Sequence, residues 1–146
     1  MVDVAALPPC LLRPGLLEAS AIEAIVGPLL LGARSSEDPL PSPGMLARHY
    51  APRTPLELAS EDAPDRAQAL HQQGLRVALL TWNAIALPGV LVVPMPADPV
   101  GYARMLYATL HDLDRQGLAR IIVEPPPPGR EWLAIRDRLR RAATPP

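Results

Sequence analysis

The chain has 146 residues, a formal net charge of −1 and a hydrophobic content of 49%, which suits one domain with extra segments at one end and a sizeable core. The aromatic share is 3% with no Phe, so that core is expected to be built from Leu, Val, Ile and Ala. All 14 basic residues are Arg; the near-neutral balance gives no global electrostatic case for nucleic-acid or membrane binding, and no apolar run approaches the ~20 residues of a membrane helix. The single cysteine, Cys10, excludes an intrachain disulfide and a multi-cysteine metal site. With no signal-peptide pattern at the N-terminus, a soluble cytoplasmic protein is expected.

In chain order, Val2 and Val4 flank Asp3 in a strand-like alternation that Pro8-Pro9 breaks. A strand so short needs partners for its backbone groups. Ser20 and Glu23 have capping-box spacing, predicting a short helix over Ala21 to Val26 with Gly27 as its stop. Leu29-Leu30-Leu31 is a small patch suited to docking on a neighbour. From Gly32 to Pro55 no hydrophobic period appears, as in a functional loop or a linker.

Beyond Pro55 strand and helix signals alternate. Leu56 to Leu58 predicts a short strand. Asp62 caps a helix with Pro64 in its first turn, running to Gln73 with Gly74 after it. Arg76 to Thr81 and Val90 to Val93 read as strands buried on both faces of a parallel sheet. Asp98-Pro99 opens the strongest helix, with Tyr102, Met105, Leu106, Thr109, Leu110 and Leu113 inward and Gly117 closing it. Arg120 to Glu124 is another strand, and Pro125 to Pro128 a stiff connector. The last helix buries Trp132, Ile135 and Leu139 and turns Arg130, Arg136, Arg138, Arg140 and Arg141 outward. The alternation argues for a compact α/β fold, a small three-layer domain with a mainly parallel sheet after a long extended linker.

The run Ser42-Pro43-Gly44-Met45-Leu46-Ala47-Arg48-His49-Tyr50-Ala51-Pro52-Arg53-Thr54-Pro55 gathers a cation, an imidazole and a phenol inside a frame of prolines. Proline fixes φ and disfavours helix at the preceding residue, so the run reads as a pre-ordered loop. It suits an anionic or aromatic ligand, and it equally suits a solvated linker. The pattern Ser-Pro-Gly-Met-x-x-Arg-His-Tyr-Ala-Pro resembles the linker signature of the two-domain threonylcarbamoyl-AMP synthases, with Leu46 and Ala47 where that family usually has Lys-Tyr. Val2-Asp3 followed by Leu12-Arg13-Pro14-Gly15 is similar to the end of the family's YrdC-like domain. Tyr102 to Asp114, Ile121 to Glu124 and Asp137 to Ala143 are similar to its Rossmann-like C-terminal domain.

The resemblance implies residues 1–15 as the remnant of a YrdC-like domain, 16–53 as linker and 54–146 as the C-terminal domain. It also implies synthesis of threonylcarbamoyl-adenylate from threonine, bicarbonate and ATP (with Mg), for tRNA modification, by a catalytic YrdC-like domain that is missing from this chain. Carried over position by position, Arg13 and Tyr50 are nucleotide-binding residues, with Arg48 and His49 supporting the linker as an active-site lid. The chain alone is expected to be inactive, to bind no cofactor by itself and to lack a catalytic residue. The alternative is a free-standing α/β interaction module. A small hydrolase is disfavoured, since no nucleophile–base pair is visible.

The other candidates favour bland roles. There is no GxGxxG, P-loop or GxSxG. His71 and His111 read as solvated helix residues, and no His, Cys or carboxylate set has metal-ligand spacing. Cys10 has no neighbour to lower its pKa. Glu124, at a strand end, reads as structural, and the terminal arginines as a solvated helix face.

Overall fold

The computed structural model describes residues 1–15, 17–31, 51–59 and 62–143. Its main body is a four-stranded sheet of β4 (Leu56–Leu58), β5 (Val77–Thr81), β6 (Leu91–Pro94) and β7 (Arg120–Val123). The strand order is β4-β7-β5-β6 and all three ladders are parallel. Side chains alternate faces along a strand, and here both faces are covered. Ala78, Leu80, Ile121 and Val123 point into one core, Val77, Leu79 and Ile122 into the other. The three-layer α/β arrangement expected from the sequence is what forms.

Helix α2 (Ala63–Gln72) covers one face with Ala63, Ala67 and Leu70. Asp62 starts it, its carboxylate accepting the Asp65 amide at 3.2 Å, and Gly74 follows its end at φ 84°. Helices α3 (Pro99–Asp114) and α4 (Leu133–Ala143, entered through a 3-10 turn at Arg130–Trp132) cover the other face. The Asp98 carboxylate caps α3 by accepting the Gly101 amide at 2.8 Å. Tyr102, Leu106, Leu110 and Leu113 of α3 and Ile135 and Leu139 of α4 are almost fully buried; removing each from water contributes about 1.5–3 kcal/mol before the entropy of ordering is set against it. Tyr102 and Trp132 meet edge to face at 5.7 Å, with Trp82 6.4 Å from Trp132. In a chain without Phe, Tyr102 and Trp132 are the aromatic residues of this core and Trp82 packs against it, partly buried.

Two expectations for this body need correction. β5 is buried along its whole length, but β6 has no buried residue, with Val92 and Val93 half-buried between exposed Leu91 and Pro94, because it lies at the sheet edge. Met105 is 43% exposed: the inward seam of α3 runs through Tyr102, Leu106, Leu110 and Leu113, and Met105 falls outside it.

The N-terminal residues form their own small sheet. β1 (Val2–Asp3) pairs antiparallel with β2 (Cys10–Leu11), which pairs parallel with β3 (Leu30–Leu31). The Leu29 to Leu31 patch thus supplies a strand, preceded by the buried Leu29. Helix α1 (Ala19–Val26) ends at Gly27, φ 83°. The capping box does not form. The helix starts at Ala19 with Glu18 as its N-cap and no side-chain cap; Ser20 bonds the Glu18 carboxylate at 3.4 Å and Glu23 accepts the Leu29 amide at 3.0 Å. Glu23 therefore ties α1 to β3 rather than to its own first turn.

Candidate functional site

Arg13 follows β2, where the amides of Leu12 and Arg13 both reach the Met1 carbonyl, at 3.1 and 3.2 Å. Its side chain leaves the small sheet and crosses to α4. Nε donates to Asp137 Oδ2 at 3.0 Å, and the two side chains are 13% and 17% exposed. Asp137 is shared: one turn later Arg141 donates its Nε to Oδ1 and Oδ2, at 3.2 and 3.1 Å. One carboxylate thus sits between two guanidinium groups at the junction of the small sheet and the main body. Arg13 is not merely a strand-end group.

Tyr50, Arg48 and His49 lie outside the described residues. The chain re-enters at Ala51, and the residues after it are firmly seated. Pro52 and Thr54 are buried. The amides of Arg53 and Thr54 donate to the Asp114 carboxylate at 2.9 and 2.8 Å. Burial raises the pKa of this carboxyl, but the two amides, the Thr54 hydroxyl and the Arg53 charge outweigh that and hold it below its usual range. Asp114 closes α3, so it satisfies two donors of the incoming chain just where β4 begins. Beside this anchor is a depression of about 370 Å³ lined by Ala51, Pro52, Tyr107, Leu110, His111 and Asp114. The Arg138 guanidinium lies over the Tyr107 ring, 5.8 Å from its centroid.

The C-terminal edge of the sheet, where open α/β folds bind ligands, holds a different cluster. Glu124 follows β7 and accepts from the Thr81 hydroxyl, and from the Asn83 side-chain amide at 3.2 Å. The Asn83 backbone amide donates to Thr81 Oγ1 at 3.0 Å. Three polar groups brace one another here, so Glu124 fastens the β5 and β7 ends, as its structural reading implied. Behind them the Tyr102 hydroxyl is buried with no hydrogen-bond partner among the described residues. Burial, and secondarily the Glu124 charge, push its pKa well up. The loop after β5, Trp82-Asn83-Ala84-Ile85, has no phosphate-cradling glycine.

His111 is exposed, as read from the sequence, though it borders the depression. His71 differs: it is half-buried and its ring lies against Gly89, so closely that a β-carbon there would fall 2.0 Å from Nε2. Cys10 is buried in β2. The terminal arginines are not simply solvated, since Arg141 holds Asp137, Arg138 meets Tyr107 and Arg136 donates to the Pro127 carbonyl. Among the described residues no group of three or more His, Cys, Asp or Glu side chains is arranged to hold a metal ion.

Residues 17–144 match the family model described as threonylcarbamoyl-AMP synthase, C-terminal domain. The chain belongs to this family. It is 36% identical to the threonylcarbamoyl-AMP synthase of Bacillus subtilis, over 92% of this chain and 42% of the relative. Against that of Pyrococcus abyssi the identity is 28%, over 98% and 44%, and against that of Schizosaccharomyces pombe 30%, over 94% and 40%. The chain spans less than half the length of the curated relatives it matches. Among solved structures, P. abyssi Sua5 complexed with L-threonine superposes with a TM-score of 0.70 at 27% identity, over 97% of this chain and 44% of that one. A second structure of the P. abyssi protein, with a TM-score of 0.71 at 24% identity over 97% and 43%, is a likeness of fold. As expected from the linker signature, the threonylcarbamoyl-AMP synthase family accounts for the chain; no helix among the described residues is long and apolar enough to cross a membrane.

Reading the sequence alone missed Asp114 and Asp137. Asp137 sits one helical turn before Arg141, a spacing that signals an intrahelical pair. Nothing local announces its second partner.

Proposed function

We propose that this chain is the linker and C-terminal part of an L-threonylcarbamoyladenylate synthase that works with a YrdC-like catalytic domain and closes over its nucleotide site. The family match over residues 17–144 carries the reading; the relatives' names and the L-threonine in the P. abyssi complex support the substrate class. In this reaction the threonine amine takes up bicarbonate with loss of water to form a carbamate. A carbamate oxygen attacks the α-phosphorus of ATP, the bond to the bridging β-phosphate oxygen breaks, and pyrophosphate leaves.

Two groups of this chain belong to that step as nucleotide contacts: Arg13, whose guanidinium matches a phosphate, and Tyr50, which offers a stacking face and a hydroxyl. Arg48 and His49 support the closed linker. Closure excludes water from a reactive mixed anhydride. The anchor at Asp114 suits this role, because it fixes the exit of the linker four residues after Tyr50 and leaves closure to the residues before it. ATP, threonine and bicarbonate are the partners, and cytoplasmic tRNA modification is the setting.

The test is kinetic, in a complete synthase carrying this chain as its C-terminal part. Arg13→Ala and Tyr50→Ala should each raise the apparent KM for ATP, Arg13→Ala at least as strongly, since a charged contact is roughly twice as strong as a neutral one. Tyr50→Phe should cost only about 0.5–1.5 kcal/mol, one ordinary hydrogen bond. The chain by itself should form no threonylcarbamoyl-adenylate. Parent-level ATP affinity and turnover in both alanine variants would overturn the assignment of these residues, and product from the isolated chain would overturn the division of labour.

A further inference from the structure

The Arg13–Asp137 pair joins residues 124 positions apart, and both ends are held by their own scaffolds. Arg13 is fixed by β2 and by the amide contacts to Met1. Asp137 lies on α4, whose Ile135, Leu139 and Ala142 are packed in the core at 0%, 0% and 7% exposure. Arg141 grips both oxygens of the same carboxylate from the next turn. Asp137 is therefore presented at a set position, independent of Arg13.

The contact is made through Nε. An Nε–H bond lies in the guanidinium plane, so it sets the tilt of that plane and the direction of the terminal nitrogens. An unbraced arginine would lose much rotamer freedom on meeting an anion; a braced one has already lost it. Charge points the same way. Two guanidinium cations share the Asp137 carboxylate, and at 13% exposure the Arg13 side chain is screened less than a surface arginine.

We infer that Asp137 is the positioning residue for Arg13: from α4 it sets the guanidinium orientation in which Arg13 meets a nucleotide phosphate. The C-terminal domain thereby acts on the ATP site through one carboxylate without touching substrate. This rests on the reading of Arg13 as a nucleotide contact.

The experiment uses the complete synthase with Arg13→Ala, Asp137→Asn, Asp137→Glu and the double variant Arg13→Ala/Asp137→Asn. Asp137→Asn keeps the shape and loses the charge; it should raise the KM for ATP roughly three- to tenfold, in the lower part of the range for directly coupled residues. The KM for threonine and the kcat at saturating ATP should stay at the parent level. Asp137→Glu should restore part of the affinity, and Asp137→Asn should add nothing in the Arg13→Ala background. In nitrogen-labelled enzyme the Arg13 Nε–Hε signal should move and broaden in Asp137→Asn.

An unchanged KM for ATP in Asp137→Asn, alongside a raised one in Arg13→Ala, overturns the positioning role and leaves the Arg13 contact standing. An unchanged KM in Arg13→Ala overturns the contact itself. Additive effects in the double variant, or a kcat loss that follows thermal stability with no change in KM, overturn the positioning role. If Asp137→Asn does not fold, Arg141→Gln takes its place. It removes the second grip on Asp137 and should raise the KM for ATP by a smaller factor; no change there overturns the inference.

Discussion

Replacing Asp114 by Ala removes a carboxylate that accepts two backbone amides, at 2.9 Å from Arg53 and 2.8 Å from Thr54. Hydrogen bonds to a charged acceptor contribute about 1.5–3 kcal/mol each when well shielded. Here the Arg53 side is open and its amide can rehydrate, whereas Thr54 is 8% exposed and its amide cannot do so freely. The sum is therefore at the low end, about 1.5–3 kcal/mol for the pair, or a fall of about 5–10 °C in Tm for a chain of this size. Asp114→Asn keeps one carbonyl acceptor and should lose about half as much. A thermal melt followed by far-ultraviolet circular dichroism reads both.

The pH arm carries a sign. The folded-state pKa of Asp114 is lowered, so the folded protein binds that proton less readily than the unfolded chain. Its contribution is present above the unfolded value of about 3.9 and is lost as the pH falls through the lower folded value. The Tm gap between parent and Asp114→Ala should stay constant from neutral pH to about 5 and close progressively below about 4. An absent gap at pH 7, or one that persists undiminished in acid, would refute the account of this anchor.

Tyr102→Phe deletes a buried hydroxyl without a partner among the described residues, so the variant should match the parent or gain up to about 1 kcal/mol in a urea melt. A loss of that size would mean that the hydroxyl is satisfied, with Glu124, whose charge acts on it, to supply the link. Glu57 of β4 is paired with Arg66 at 2.7 Å and Arg120 at 3.0 Å. The Arg66 contact above all, against an opposing effect of burial and with help from Arg120, holds its carboxyl below the usual range. Glu57→Gln should lower Tm by about 2 °C or less at low salt and by nothing measurable at high salt, since solvent screens such pairs; a large, salt-independent loss would contradict this.

Elements with local punctuation were legible in the sequence. Asp62 and Asp98 cap their helices by bonding amides three residues on, and Gly27, Gly74 and Gly117 adopt positive φ where helices were read to stop. Ser20 and Glu23 had equally good spacing and misled, because the start of α1 moved to Ala19 and Glu23 found a partner in the Leu29 amide just before β3. The apolar run of β6 looked like an interior strand because a run cannot report its place in the sheet. The family signature singled out Arg13 but not its bond to Asp137, because a contact spanning most of the chain leaves no local pattern. Tyr50, Arg48 and His49 were legible only as a motif.

The strand order has a consequence for biosynthesis. β7 is the last strand of this sheet to be made, yet it lies between β4 and β5, bonded to both. During translation β4 can find no neighbour in the sheet until Val123 has left the ribosome, so Leu56 and Leu58 must wait through more than sixty further residues. The β5–β6 pair and α3 can form early from nearby contacts; insertion of β7 is the non-local event that closes the sheet, and such events are slow. The nascent chain thus carries an unpaired strand edge from the completion of β4 until β7 arrives, the kind of exposed edge that recruits chaperones and, when they are overwhelmed, seeds aggregation.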